Sequence, residues 1–215
     1  MALTFQDAIY AVDLVGTASF ALSGALRAAD RRPDFVGMLV LAAATAAGGS
    51  VFRDVVLNRD VVILRDWGYP LAIIGSTLVT FLFPASVGRR ERLLRYFDAV
   101  GLGVFSAFTA SAAWRTAGMN PLSVLLVATL SGCAGGVVRD LIIRKETLIL
   151  SNELYVTPMI LGAAALMGVE ALGAGQLAGF STAMAVTTGI RLCAIRFDWR
   201  LPRLGGAAPE KEISP

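Results

Sequence analysis

The sequence predicts an all-α integral membrane protein with seven transmembrane helices: two inverted three-helix repeats plus a seventh helix. Three observations carry that prediction. Of 215 residues, 56% are hydrophobic and 16% charged, with a mean hydropathy of +0.68, whereas a soluble domain covers itself with about a quarter charged residues. The apolar residues gather in seven stretches separated by short charged connections. The pattern of the first half of the chain also returns in the second.

The first stretch, residues 5–26, is apolar apart from Asp7 and Asp13. The uncharged part from Leu14 to Leu26 rises only about 20 Å, short of the roughly 30 Å hydrocarbon core, so Asp13 belongs inside the first span. The N-terminus has neither a basic n-region nor a small-residue cleavage site, so this helix is expected to stay in the protein. Uncharged runs at 35–52, 67–88, 99–114, 116–138, 154–169 and 171–190 supply helices two to seven. The run 99–114 rises about 24 Å, so the fourth helix must draw Asp98 or Arg115 toward the bilayer. Trp67, Trp114, Tyr69 and Tyr155 flank spans and read as interfacial anchors.

Fifteen of the nineteen basic residues fall on connections on one side of this arrangement, from Arg27, Arg31 and Arg32 to the C-terminal segment. Basic residues near helix ends are retained in the cytoplasm, which puts the N-terminus outside a cell (inner) membrane and the C-terminus inside. The net charge of +3 then reflects this bias and anionic lipid, with no nucleic-acid partner. The chain contains no histidine, which removes the commonest general base and zinc ligand. No enzymatic activity and no cofactor are expected. Cys133 and Cys193 lie in apolar stretches and read as small buried side chains rather than a disulfide.

The repeat is explicit. Asp13-Leu-Val-Gly16-Thr-Ala-Ser-Phe20 aligns with Asp98-Ala-Val-Gly101-Leu-Gly-Val-Phe105, and Thr45-Ala-Ala-Gly48-Gly49-Ser50-Val-Phe-Arg53-Asp54 aligns with Ser131-Gly-Cys-Ala134-Gly135-Gly136-Val-Val-Arg139-Asp140. Tyr69-Pro70 corresponds more loosely to Tyr155-Val-Thr-Pro158. Because each copy has three helices, the second enters the membrane from the opposite side. The chain divides into a first repeat at 1–95, a second at 96–172, a seventh helix at 173–200 and a flexible cytoplasmic tail at 201–215.

Proteins built this way conduct or transport at the repeat interface. A carboxylate within a span is costly and marks either an interhelical hydrogen bond or a wet cation path; Asp13 and Asp98 are such residues, in opposite membrane halves. Gly48, Gly49 and Ser50, with Gly135 and Gly136, allow close packing, a bend, or backbone carbonyls turned to water. Thr17, Ser23, Thr45, Thr109, Thr129 and Ser131 add oxygen ligands, so a monovalent cation could sit near Ser50, Asp13 or Asp98. Adjacent helical residues do not face one another, so Arg53 is expected to pair with Asp13 rather than Asp54, and Arg139 with Asp98 rather than Asp140. These clusters would gate the path or lock the structure. Passive cation flux and secondary transport of a small solute both remain open on this reading.

The doubled small-residue triplet followed by Arg-Asp, with the preceding Asp, Gly and Phe at fixed spacing, resembles the trimeric intracellular cation (TRIC) channel family over about residues 7–200. It looks most like the compact prokaryotic members, some of which carry the label glycine transporter. The resemblance implies a homotrimer in membrane lipid, with a pore in each protomer lined by helices one, two, four and five. It also implies conduction of monovalent cations, potassium preferred over sodium. Glycine transport is the alternative that the label implies. Ser50 and Ala134 stand where the family pattern has glycine, which bears on how far each helix bends.

Overall fold

The computed structural model describes residues 5–150 and 153–202. The expected tail, 201–215, lies outside the described residues from 203 onward. These residues form seven α-helices: α1 (Phe5–Ala28), α2 (Phe35–Val56), α3 (Gly68–Leu82), α4 (Val87–Trp114), α5 (Pro121–Ile142), α6 (Thr157–Ala171) and α7 (Gln176–Phe197). There are no strands among them, only a single antiparallel bridge between Glu153 and Arg200.

Five helices, all but α3 and α6, are long and apolar enough to cross a membrane. The two short ones have 15 residues each, a rise of about 22 Å, and occupy equivalent places in the two repeats. The fourth helix departs most from its expected extent. It has 28 residues, a rise of about 42 Å, because the run with Arg89, Arg90, Glu91, Arg92 and Arg95 continues the helix ahead of the apolar segment. Arginine, glutamate and leucine are good helix formers, so the charge run changes the solvent around the helix without breaking it. Asp98 consequently lies well inside α4.

The repeat reaches the helix caps. Asp34 accepts a hydrogen bond from Gly37 N at the start of α2, and Asn120 accepts one from Ser123 N at the start of α5, where Pro121 opens the first turn. At the other ends, Asn58 and Arg144 take φ of 52° and 55°. Arg59 N donates to Asp54 O and Asn58 N to Val55 O; likewise Lys145 N donates to Asp140 O and Arg144 N to Leu141 O. Both are Schellman caps, which use up the last free carbonyls.

Helix α1 packs along α4 and α2 along α5, so each helix of these pairs meets its own counterpart; α7 covers α4 and α6. The repeated Asp, Gly and Phe positions explain the first pairing. A Cβ on Gly16 would lie 2.6 Å from Val104 Cγ1, and one on Gly101 would lie 2.6 Å from Phe20 Cδ1. Each glycine thus seats a side chain of the opposite helix, and Phe20 and Phe105 stack at the centre with ring centroids 5.2 Å apart. In the second pairing, a Cβ on Gly48 would lie 2.9 Å from Gly135 Cα, and one on Gly135 would run into Thr45 O. Helix α2 passes through its small-residue triplet unbroken, as α5 does. In this structure the triplets therefore serve close backbone approach rather than a break.

Most basic connections meet at one end of the bundle. Arg27 reaches Glu91 at 3.3 Å, Lys145 reaches Asp30 at 2.7 Å, and Arg191 and Arg95 both pair with Glu153. The opposite end holds Arg115 paired with Glu170 and Arg65 paired with Asp60.

Candidate functional site

Two charge clusters lie on either side of the Phe20–Phe105 stack, the first assembled from α1, α2 and α3, the second from α4, α5 and the turn before α6, with side chains of α1 added. In the first, Asp13 of α1, Arg53 and Asp54 of α2 and Tyr69 of α3 converge. Arg53 Nε donates to Asp54 Oδ1 at 2.7 Å while its NH1 lies 3.8 Å from Asp13 Oδ1. Tyr69 OH donates to Asp13 Oδ2 at 2.7 Å, and Asp54 Oδ2 accepts from Val62 N at 3.2 Å. The Arg53 guanidinium also lies over the Phe108 ring.

In the second cluster, Arg139 Nε and NH2 donate to the two Asp140 oxygens at 2.8 and 3.0 Å. Its NH1 donates to Asp98 Oδ1 at 2.7 Å and to Ser23 Oγ. Tyr155 packs here as Tyr69 does in the first repeat: its hydroxyl and Asp98 both approach the space a Cβ on Gly136 would fill. Its hydroxyl has no hydrogen-bond partner among the described residues, and Arg191 lies over its ring.

The interhelical pairs Arg53–Asp13 and Arg139–Asp98 are formed, but the expectation that each arginine ignores its neighbouring aspartate is corrected: both neighbours bond. The flexible arginine stem curls back at the last helical turn so that Nε meets the adjacent carboxylate, and the terminal nitrogens remain free to reach another helix. Tyr69 and Tyr155 are also corrected. Only 3% and 2% exposed, they are cluster members rather than interfacial anchors, whereas Trp67 is 80% exposed. The loose alignment of Tyr69-Pro70 with Tyr155 and Pro158 is the signal that marks them. Cys133 is buried but Cys193 is exposed, and both are free thiols.

The clusters differ in access. Asp13, Arg53, Asp54 and Tyr69 line a cavity of about 240 Å³ together with Arg59, Asp60 and Phe108. Arg139, Asp98 and Asp140 are fully enclosed. A residue of the first repeat contributes to that closure: Arg27 of α1 places Nε 3.6 Å from Asp140 Oδ1, whereas Ala112 stands at the equivalent place in α4. The second cluster thus balances two arginines with two aspartates; the first holds one arginine and two aspartates. Asp13 Oδ1 and Asp98 Oδ2 have no hydrogen-bond donor among the described residues.

The hydroxyls mostly turn back on their own helices. Thr45 bonds Leu41 O, Ser50 bonds Ala47 O, and Thr109 bonds Phe105 O. Ser131 bridges from Thr109 to Gly49 O, joining α4, α5 and α2. Thr17 and Thr129 hydroxyls make no hydrogen bond to described residues. Among the described residues no group of three or more Asp, Glu or Cys side chains forms a metal cage.

The fold and its paired clusters define a polytopic helical membrane protein made by inverted duplication, with charged side chains held at the interface of the halves. The chain belongs to the family whose model is described as glycine transporter, which matches it twice, over residues 10–85 and 95–171. The inner membrane protein YadS of Escherichia coli is 34% identical over 200 residues, covering 90% of this chain and 95% of YadS. A UPF0126 membrane protein of Deinococcus radiodurans is 37% identical over 165 residues, 75% of this chain and 76% of the relative. Among solved structures, the TRIC trimeric intracellular cation channel orthologue from Rhodobacter sphaeroides superposes with TM-score 0.82 and 32% identity, over 89% of this chain and 99% of that one. A prokaryotic TRIC channel crystallised in 0.5 M KCl superposes with TM-score 0.85 and 25% identity, over 92% and 100%. The resemblance to TRIC channels therefore extends to the whole fold.

Proposed function

We propose that the protein is a passive monovalent cation channel, potassium preferred, with a path in each protomer where the two repeats meet. The observation that carries this reading is the placement of Asp13. It is a carboxylate inside a span, on the wall of a cavity lined by three aspartates and two arginines, with its Oδ1 held only by the long ion pair to Arg53. A carboxylate so placed is where a partly dehydrated cation exchanges water ligands for protein oxygens. The TRIC channel neighbours support the same reading, and they favour it over an enzyme.

On this reading the path runs from Asp13, past Gly49 and Ser50, between the Gly48–Gly135 crossing and the Phe20–Phe105 stack, to Gly136 and Asp98. The conformation described is closed, because the helix crossing and the aromatic stack fill the centre. Conduction requires α2 and α5 to part at their glycines. Arg53 with Asp54, and Arg139 with Asp140, hold the two ends and prevent a bare arginine from repelling cations. The permeating ion is the sole small molecule the reading needs. Three copies assemble, as the trimeric neighbour does, in the cell (inner) membrane with the N-terminus outside and the basic end in the cytoplasm.

The family description favours a second reading, uptake of glycine by alternating access between the repeats. Proteoliposomes separate the two. A channel releases a potassium gradient at a rate that grows without saturation and leaves glycine unmoved; saturable glycine uptake coupled to an ion gradient, without net potassium leak, would replace the channel reading.

A further inference from the structure

The two charge clusters follow one pattern in two arrangements, and the phenols show the difference. Tyr69 OH donates to Asp13 Oδ2 at 2.7 Å, and that cluster opens into a cavity. Tyr155 OH and Asp98 Oδ2 are both buried in the enclosed cluster, and neither has a hydrogen-bond partner among the described residues. An unpaired hydroxyl and an unpaired carboxylate oxygen are each costly away from water, and one bond between them would satisfy both.

Two features keep the second phenol off its carboxylate. Ser50 stands in α2 where Gly136 stands in α5. A Cβ on Gly136 would lie 2.5 Å from Tyr155 OH and 3.4 Å from Asp98 Oδ1, so the hydroxyl rests in the notch that the missing side chain leaves, a short swing from the carboxylate. Helix α7, which belongs to neither repeat, holds it there: Arg191 lies 5.0 Å over the Tyr155 ring, donates to Leu154 O and pairs with Glu153 at 2.7 Å, clamping the turn ahead of α6. The charge count differs in the same sense. Arg139 and Arg27 together serve Asp98 and Asp140, whereas Arg53 serves both Asp13 and Asp54, and there the phenol supplies the further donor.

We propose that Tyr155 is a positioning residue for the opening of the inner end. Its hydroxyl sits in the Gly136 notch while Arg27 seals the cluster. When Arg27 withdraws from Asp140, Arg139 alone must serve two aspartates, and Tyr155 OH swings to donate to Asp98 as Tyr69 does to Asp13. The switch rests on the reading that the inner end opens for a permeating ion, but it concerns the opening and not what passes.

The rate at which a small methanethiosulfonate reagent modifies Cys133 in the full chain, reconstituted in proteoliposomes, tests this. Cys133 is a free, buried thiol three residues before Gly136, on the same face of α5; Cys193→Ser removes the exposed thiol. The readout needs no ion flux, so an absent potassium current would sink the channel reading and leave the switch standing. Tyr155→Phe should slow modification about tenfold, the weight of one hydrogen bond to a charged group, without lowering the unfolding temperature. Gly136→Ala, which fills the notch and pushes the hydroxyl toward Asp98, should speed it, and should lose that effect when combined with Tyr155→Phe. A wild-type rate in Tyr155→Phe, or equal acceleration by Gly136→Ala with and without the hydroxyl, would overturn the proposal. Should Gly136→Ala fail to fold, Arg27→Gln unseals the cluster instead, and its acceleration should likewise shrink in Tyr155→Phe. A Cys133 that stays unmodified even in Arg27→Gln would also overturn it, because the Asp98 cluster then does not open to water.

Discussion

A guanidinium buried away from water must find its acceptors inside the protein, and Arg139 finds Asp98, Asp140 and Ser23. Removing one partner of such a buried set leaves the others uncompensated, which costs about 3–5 kcal/mol. Arg139→Gln is expected to lose stability on that scale in thermal unfolding, and Arg53→Gln less, because the cavity at Asp13 admits water to the orphaned carboxylates. Asp13→Asn and Arg53→Gln should be non-additive, with a coupling of about 0.5–3 kcal/mol in a double-mutant cycle. The phenols divide similarly. Tyr69→Phe removes a hydrogen bond to a carboxylate and should cost about 1.5–3 kcal/mol, whereas Tyr155→Phe, removing a hydroxyl with no partner among the described residues, should be neutral or stabilising. The acid–base pairs were legible because duplication printed them twice. The tyrosines were hidden because an aromatic near the end of a span has two plausible destinations, and hydropathy does not separate them.

At the scale of helices, the glycines act by what they let approach. Gly135 is pressed against Thr45 O of α2, whereas nothing lies within 4 Å of a Cβ on Gly168 in α6. Gly135→Ala should therefore destabilise by about 1–3 kcal/mol even though alanine is the better helix former, and Gly168→Ala should be neutral or stabilising by up to about 1 kcal/mol; unfolding of the two variants in the same detergent compares them. Helix number and the α1–α4 and α2–α5 correspondence could be read from apolar runs and the repeat. The start of α4 could not, since a hydropathy boundary at residue 99 marks where the surroundings change, not where the hydrogen-bonded ladder begins. The caps at Asp34 and Asn120 were visible in principle, as two side chains that accept N-terminal amides at equivalent places.

The whole molecule is two nearly equivalent halves with unequal ends. Arg27, which has no counterpart in the second repeat, neutralises and closes the Asp140 cluster, and the cluster at Asp13 keeps an excess acid and an open cavity. The inverted duplication was legible because the triplet and Arg-Asp recur at one spacing; the inequality was not, since it arises from one residue reaching across the repeat boundary. If the protein is a channel, its open acidic end admits cations and its sealed end must loosen for them to pass. The most direct test is the reversal potential of the purified protein in a planar bilayer under a KCl gradient, with Asp13→Asn alongside. A cation channel should show discrete currents that reverse near the potassium equilibrium potential, with reduced cation current in the variant. Reversal on the chloride side, or variant currents identical to wild type, would contradict it.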